Sequence, residues 1–88
     1  MSEEFQPIGQ IAHYFDRLGV AIVHVLSPIR VGDWIHIYGH KTNFVQQIES
    51  MEVNRQKIET AQPGDDIGVL VIEKVRQGDW VYPHTPEH

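Results

Sequence analysis

The chain has no cysteine among its 88 residues, which excludes disulfides and thiolate metal sites and fits a cytoplasmic setting. Positive charge is scarce: seven Lys and Arg oppose twelve Asp and Glu, for a net charge of −5. Tight non-specific binding of nucleic acid needs a dense basic surface, so DNA is not an expected partner. No apolar run approaches the roughly 20 residues that cross a bilayer, so no membrane role is expected. The opening "MSEEFQPIGQ" lacks the basic-then-apolar pattern of a signal peptide. The three serines, Ser2, Ser27 and Ser50, lie outside any Gly-x-Ser-x-Gly elbow. No Gly-x-x-x-x-Gly-Lys-Ser/Thr loop is present to cradle phosphates, so neither GTP nor another cofactor is expected. A chain of this length is read as one domain with little core to spare for a substrate cavity. These absences argue against an enzyme.

What is present is a repeated phrase. Gly32-Asp33 and Gly78-Asp79 stand directly before an apolar or aromatic run, and Gly64-Asp65 stands one residue, Asp66, before one. Gly permits positive φ, and Asp hydrogen-bonds nearby backbone, so each pair reads as a turn into a strand. After the first, "WIHIY" alternates, with Ile35 and Ile37 on one side and Trp34, His36 and Tyr38 on the other. Upstream, "IGQIAHYF" reads as a strand with Ile11, His13 and Phe15 on one side. "DRLG" is its turn, and "VAIVHVL" is a buried return strand. "IGVLVI" and "WVY" complete a set of six or seven short strands. Strands at this spacing indicate an all-β sandwich or barrel. Phe44 to Val53 is ambiguous. Phe44, Ile48, Met51 and Ile58 recur at helical spacing, whereas a strand needs one β-bulge near Glu49-Ser50 to keep Ile48 and Met51 on the core side.

Read together, "IRVGDWIHIYG", "VQQIESMEV", "IETAQPGDDIGVLV" and "VRQGDWVY" resemble the second domain of translational GTPases such as elongation factor Tu. The chain is also similar to the C-terminal barrel of collagenase-like peptidases. The resemblance spans about Ile8 to Tyr82. It implies an all-β fold, a single closed antiparallel β-barrel of about six strands, and resolves Phe44 to Val53 as a bulged strand. The barrel is expected to span residues 1–88, with its core at 8–82 and flexible termini at 1–7 and 83–88.

The resemblance also implies a contact site. In the elongation factors a Glu and an Arg three residues apart, with a Leu in the following strand, help hold the terminal adenosine of transfer RNA. Aligned on "PGDDIGVL", these positions are Glu52, Arg55 and Leu70. A second candidate surface is aromatic: Trp34 and Tyr38 share the outward side of their strand, and Trp80, like Trp34, follows a Gly-Asp pair. Six histidines invite a metal reading. However, His13 with His24, or His36 with His40, make no complete ligand set, so no metal is expected. The expected function is that of a stand-alone, non-catalytic binding module for a protein or a structured RNA, transfer or ribosomal. The alternative is an accessory barrel that modulates an enzyme such as a peptidase in trans.

Overall fold

All three Gly-Asp pairs close the same four-residue turn. In the computed structural model, which describes residues 6–85, Gly32, Gly64 and Gly78 have φ of 98°, 97° and 95°. The N–H groups of Asp33, Asp65 and Asp79 donate to the carbonyls of Arg30, Gln62 and Arg76 at 3.0–3.1 Å. Each Asp carboxylate accepts the N–H of that same residue at 2.8–2.9 Å. Positive φ at the third position is the type II signature, which Gly adopts without the penalty of a Cβ. The reading of these pairs as turn chemistry holds, and each turn hands the chain into a strand.

The strands are β1 (Gly9–Phe15), β2 (Val20–Val25), β3 (Ile29–Arg30), β4 (Trp34–Gly39), β5 (Thr42–Gln47), β6 (Met51–Val53), β7 (Gln56–Ile58), β8 (Thr60–Ala61), β9 (Asp66–Leu70) and β10 (Trp80–Pro83). No helix occurs among the described residues. Eight strands form one antiparallel sheet in the order β5-β4-β10-β1-β2-β9-β6-β7, and β3 pairs with β8 in a small second sheet. Alternation sends Ile11, Val23, Ile37, Ile67, Val69 and Val81 into one core that Ile48 and Met51 complete. Burying each such side chain stabilises the fold by about 1.5–3 kcal/mol relative to exposure.

The all-β class is as expected, but the closed barrel of about six strands is not. The sheet is open: its outer strands β5 and β7 do not pair with each other. The physical reason lies between β5 and the chain just after β9. There the connection is one side chain, Gln46, whose amide bonds Leu70 O and Ile72 N. A side-chain bridge joins the two without forming a ladder.

The stretch Phe44 to Val53 also differs from the expected single bulged strand. It is two strands, β5 and β6, which belong near opposite ends of the sheet order. Ile48 breaks the run because its N–H donates to Asp33 O and its carbonyl accepts from Gly32 N. Its backbone serves the first Gly-Asp turn. Ile48 and Met51 are still both buried, as the pattern required. In β1 the register shifts between Ile11 and His13, so Ile11 points into the core while His13 and Phe15 are exposed. The expected common side of these three is split by that bulge. Ile8 N donates to Val81 O, and His84 N to Trp34 O, which ties both ends of the described chain to the sheet.

Candidate interaction surface

The outer face of β10, β4 and β5 is a lattice of rings set by register. Trp80 lies opposite Tyr38, and Tyr38 opposite Asn43. One step along, Tyr82 lies opposite His36, and His36 opposite Val45. A third row places His84, through its bond to Trp34 O, beside Trp34 and then Gln47. The inward partners Ile35, Ile37 and Val81 are buried, which anchors the rings on a rigid platform. Trp34, Tyr38 and Trp80 remain 38%, 49% and 37% exposed.

His36, Tyr38, Tyr82, Pro83, His84 and Thr85 line an open groove of about 630 Å³ on this face. The His36 ring meets Tyr38 edge-on, with centroids 5.8 Å apart. Its Nε2 lies 2.6 Å from Asn43 Oδ1. A carbonyl oxygen only accepts, so Nε2 carries the proton and, in the neutral ring, Nδ1 is left as an acceptor. The face offers apolar area with hydrogen-bonding rims.

Gly39 ends β4 against the turn that launches β10. A Cβ there would collide with the Asp79 carboxylate. Asp79 is buried and ties Arg76 N. The third Gly-Asp pair therefore both turns the chain and sets Trp80 against Tyr38.

Glu52, Arg55 and Leu70 are arranged differently. Glu52 lies on β6 opposite Gly68 of β9, which puts it on the same outward face as Leu70, two residues on. Arg55 sits at the tip of the β6–β7 hairpin. With Asn54 it forms a two-residue loop, both at positive φ (53° and 65°). This is the primed-turn geometry of tight hairpins, where Gly usually stands at the second position. No ion pair joins Glu52 to Arg55; the salt bridge among the described residues is His24–Asp66, exposed, at 2.9 Å. Leu70 lines a second groove of about 470 Å³ with Trp34 and Ile72, and Arg55 and Glu52 do not. The structure thus joins one member of each candidate set.

Sequence reasoning did not single out Tyr82, His84, Gln46 or Ile72. The first two gain their place from strand pairing with β4, which no local pattern reveals. Gln46 did leave a trace, as a polar residue in phase with the inward Thr42 and Phe44. Among the described residues no group of three or more His, Asp or Glu is placed to hold a metal, and no helix is long and apolar enough to cross a membrane.

No family model matches the chain. It is 33% identical over 76 residues to an uncharacterised protease of Methanocaldococcus jannaschii, covering 85% of the chain and 19% of that protein. It is 38% identical over 77 residues to a collagenase of Porphyromonas gingivalis, covering 85% and 21%. The chain therefore spans about a fifth of the length of these curated relatives. Among solved structures it is similar to the C-terminal domain of a Geobacillus thermoleovorans protein assigned to the U32 peptidases. That match has a TM-score of 0.86 at 20% identity, over 91% of this chain and 93% of that one. The selenomethionine form of the same domain gives 0.83 at 21%, over 88% and 98%. These likenesses support the collagenase-like half of the resemblance and give the translation-factor half no support; at such identities the solved structures show that this chain has the fold of a peptidase C-terminal domain.

Proposed function

We propose that this chain is a non-catalytic accessory module of a U32-type peptidase and contacts that peptidase through the outer face of β4 and β10. The observation that carries the reading is agreement between two kinds of likeness. Segments of about 77 residues in a protease and a collagenase match it in sequence, and a peptidase C-terminal domain matches it in fold along nearly its whole length. The surface supports the same reading. Trp and Tyr dominate the energetic centres of protein interfaces, and here they stand on a rigid sheet beside a groove.

A domain exchange tests this. The 77 matching residues of the Porphyromonas gingivalis collagenase are replaced by this chain, or deleted, and collagen cleavage is measured. The exchange should retain most of the cleavage that deletion loses, and Trp80→Ala within the exchange should lose it again. An exchange no more active than the deletion would overturn the proposal.

A further inference from the structure

Gln46 is a polar residue on the core side of an edge strand, only 4% exposed. Its Nε2 donates to Leu70 O at 2.9 Å, and its Oε1 accepts Ile72 N–H at 2.9 Å. That is the pair of bonds a residue in an adjacent parallel strand would make astride Val71. The carboxamide stands where a peptide backbone would bind. On the other side of the seam, β5 and β4 are joined by a two-residue loop, His40-Lys41, closed by the pair Gly39 and Thr42. In such hairpins the closing pair exchanges both ladder bonds and the pattern then alternates. Asn43, Val45 and Gln47 therefore aim their backbone groups away from β4, along the sheet edge, where the Gln47 carbonyl also accepts Gln46 Nε2 at 3.3 Å. The groove here, about 470 Å³, is lined by Trp34, Val45, Glu49, Leu70 and Ile72 with the two glutamines and Val71. Leu70 and Ile72 are 52% and 69% exposed, and Glu49 is the one charged residue of the lining.

We propose that this seam receives an extended polypeptide segment as an added strand, whose backbone takes over the bonds now made by Gln46. Successive side chains of a strand alternate. Those pointing inward enter the space of the Gln46 side chain and must be apolar. Those pointing outward lie over Leu70 and Ile72 beside Glu49, on a chain of net charge −5, which suits Lys with its apolar stem and cationic head. The occupant is thus a segment that alternates apolar and basic residues. Main-chain bonds supply affinity in this mode and alternate side chains supply specificity. The inference does not rest on the peptidase reading.

The test titrates acetyl-Val-Lys-Val-Lys-Val-amide into the isotope-labelled protein and follows backbone amide resonances. Saturable shifts should centre on 43–47 and 70–72. The same peptide methylated on its valine nitrogens should bind at least roughly ten-fold more weakly, because it keeps its side chains but loses main-chain donors and crowds the strand edge. Gln46→Ala should bind the unmethylated peptide more tightly, since the internal competitor is gone. If that variant fails to fold, Val45→Pro decides. It removes an N–H from the free edge only, where Pro is tolerated, and should weaken binding by roughly ten-fold. Absence of saturable shifts at millimolar peptide, equal binding of the methylated peptide, or unchanged binding by Gln46→Ala or Val45→Pro would overturn the proposal. Self-association of the free protein through the same residues would also overturn it, by assigning the seam to a second copy.

Discussion

The outer face of β4 and β10 and the β6–β7 hairpin are both antiparallel pairings built by ordinary turn rules, yet they differ in what they offer a partner. The first carries large rings on both strands, backed by fully buried Ile37 and Val81. The second presents Glu52, Lys57 and Gln56 to solvent and ends in an exposed loop at the sheet edge. A preorganised aromatic patch loses little conformational entropy on binding. A long side chain at a hairpin tip must be ordered first, at a cost of about 0.5–1.5 kcal/mol. Position in the sheet therefore separates the two candidate surfaces more sharply than residue type does.

The largest expected effect breaks the comparison directly. On the proposed function, Trp80→Ala or Tyr38→Ala should weaken binding to a U32-type peptidase by about 2 kcal/mol or more, roughly thirty-fold, as interface anchors do. Arg55→Ala should change it by less than about three-fold, because an exposed charge contributes little. Isothermal titration of the three variants checks this, and equal losses would erase the distinction.

Next comes the support beneath the rings. Asp79→Ala removes a buried, charge-assisted bond and leaves space under Gly39, so denaturant unfolding should show a loss of about 2–3 kcal/mol. Asp65→Ala opens a turn of the same type that is less buried, and should cost about 1 kcal/mol. If the two variants are equally destabilised, burial of the third turn does not set it apart. The smallest effect concerns the hairpin. Arg55 pays about 1–2 kcal/mol for its left-handed conformation, against an entropy penalty of about 0.5–1 for Gly. Arg55→Gly should therefore raise stability by roughly 0.5–1 kcal/mol without altering partner binding.

Local chemistry was legible and long-range pairing was not. The three Gly-Asp turns could be read because each is closed within four residues. The inward Ile35 and Ile37 and the outward Trp34 and Tyr38 could be read because alternation needs no knowledge of neighbours. The neighbours themselves were hidden: that β10 lies between β4 and β1 is what brings Tyr82 and His84 beside His36. The break at Ile48 was hidden because its bonds go to the first turn, fifteen or more residues back. Closure was misjudged for a related reason. The strand count and turn spacing fit a barrel, but the seam depends on the long-range bonds of Gln46 to Leu70 and Ile72. Alternation makes Trp34 and Tyr38 legible as outward residues and the resemblance alone points to Leu70; the grooves that group them follow from the tertiary fold.

The central claim is that the β4–β10 face meets a peptidase. Photo-crosslinking in the native cell tests it most directly, with a photoreactive phenylalanine analogue placed at position 38 or at position 55 and the adducts identified by mass spectrometry. The account expects position 38 to cross-link to catalytic-region peptides of a U32-type peptidase, within the same polypeptide or another, and position 55 to give no such adduct. Adducts from position 55 alone, or from position 38 to proteins other than a peptidase, would contradict it.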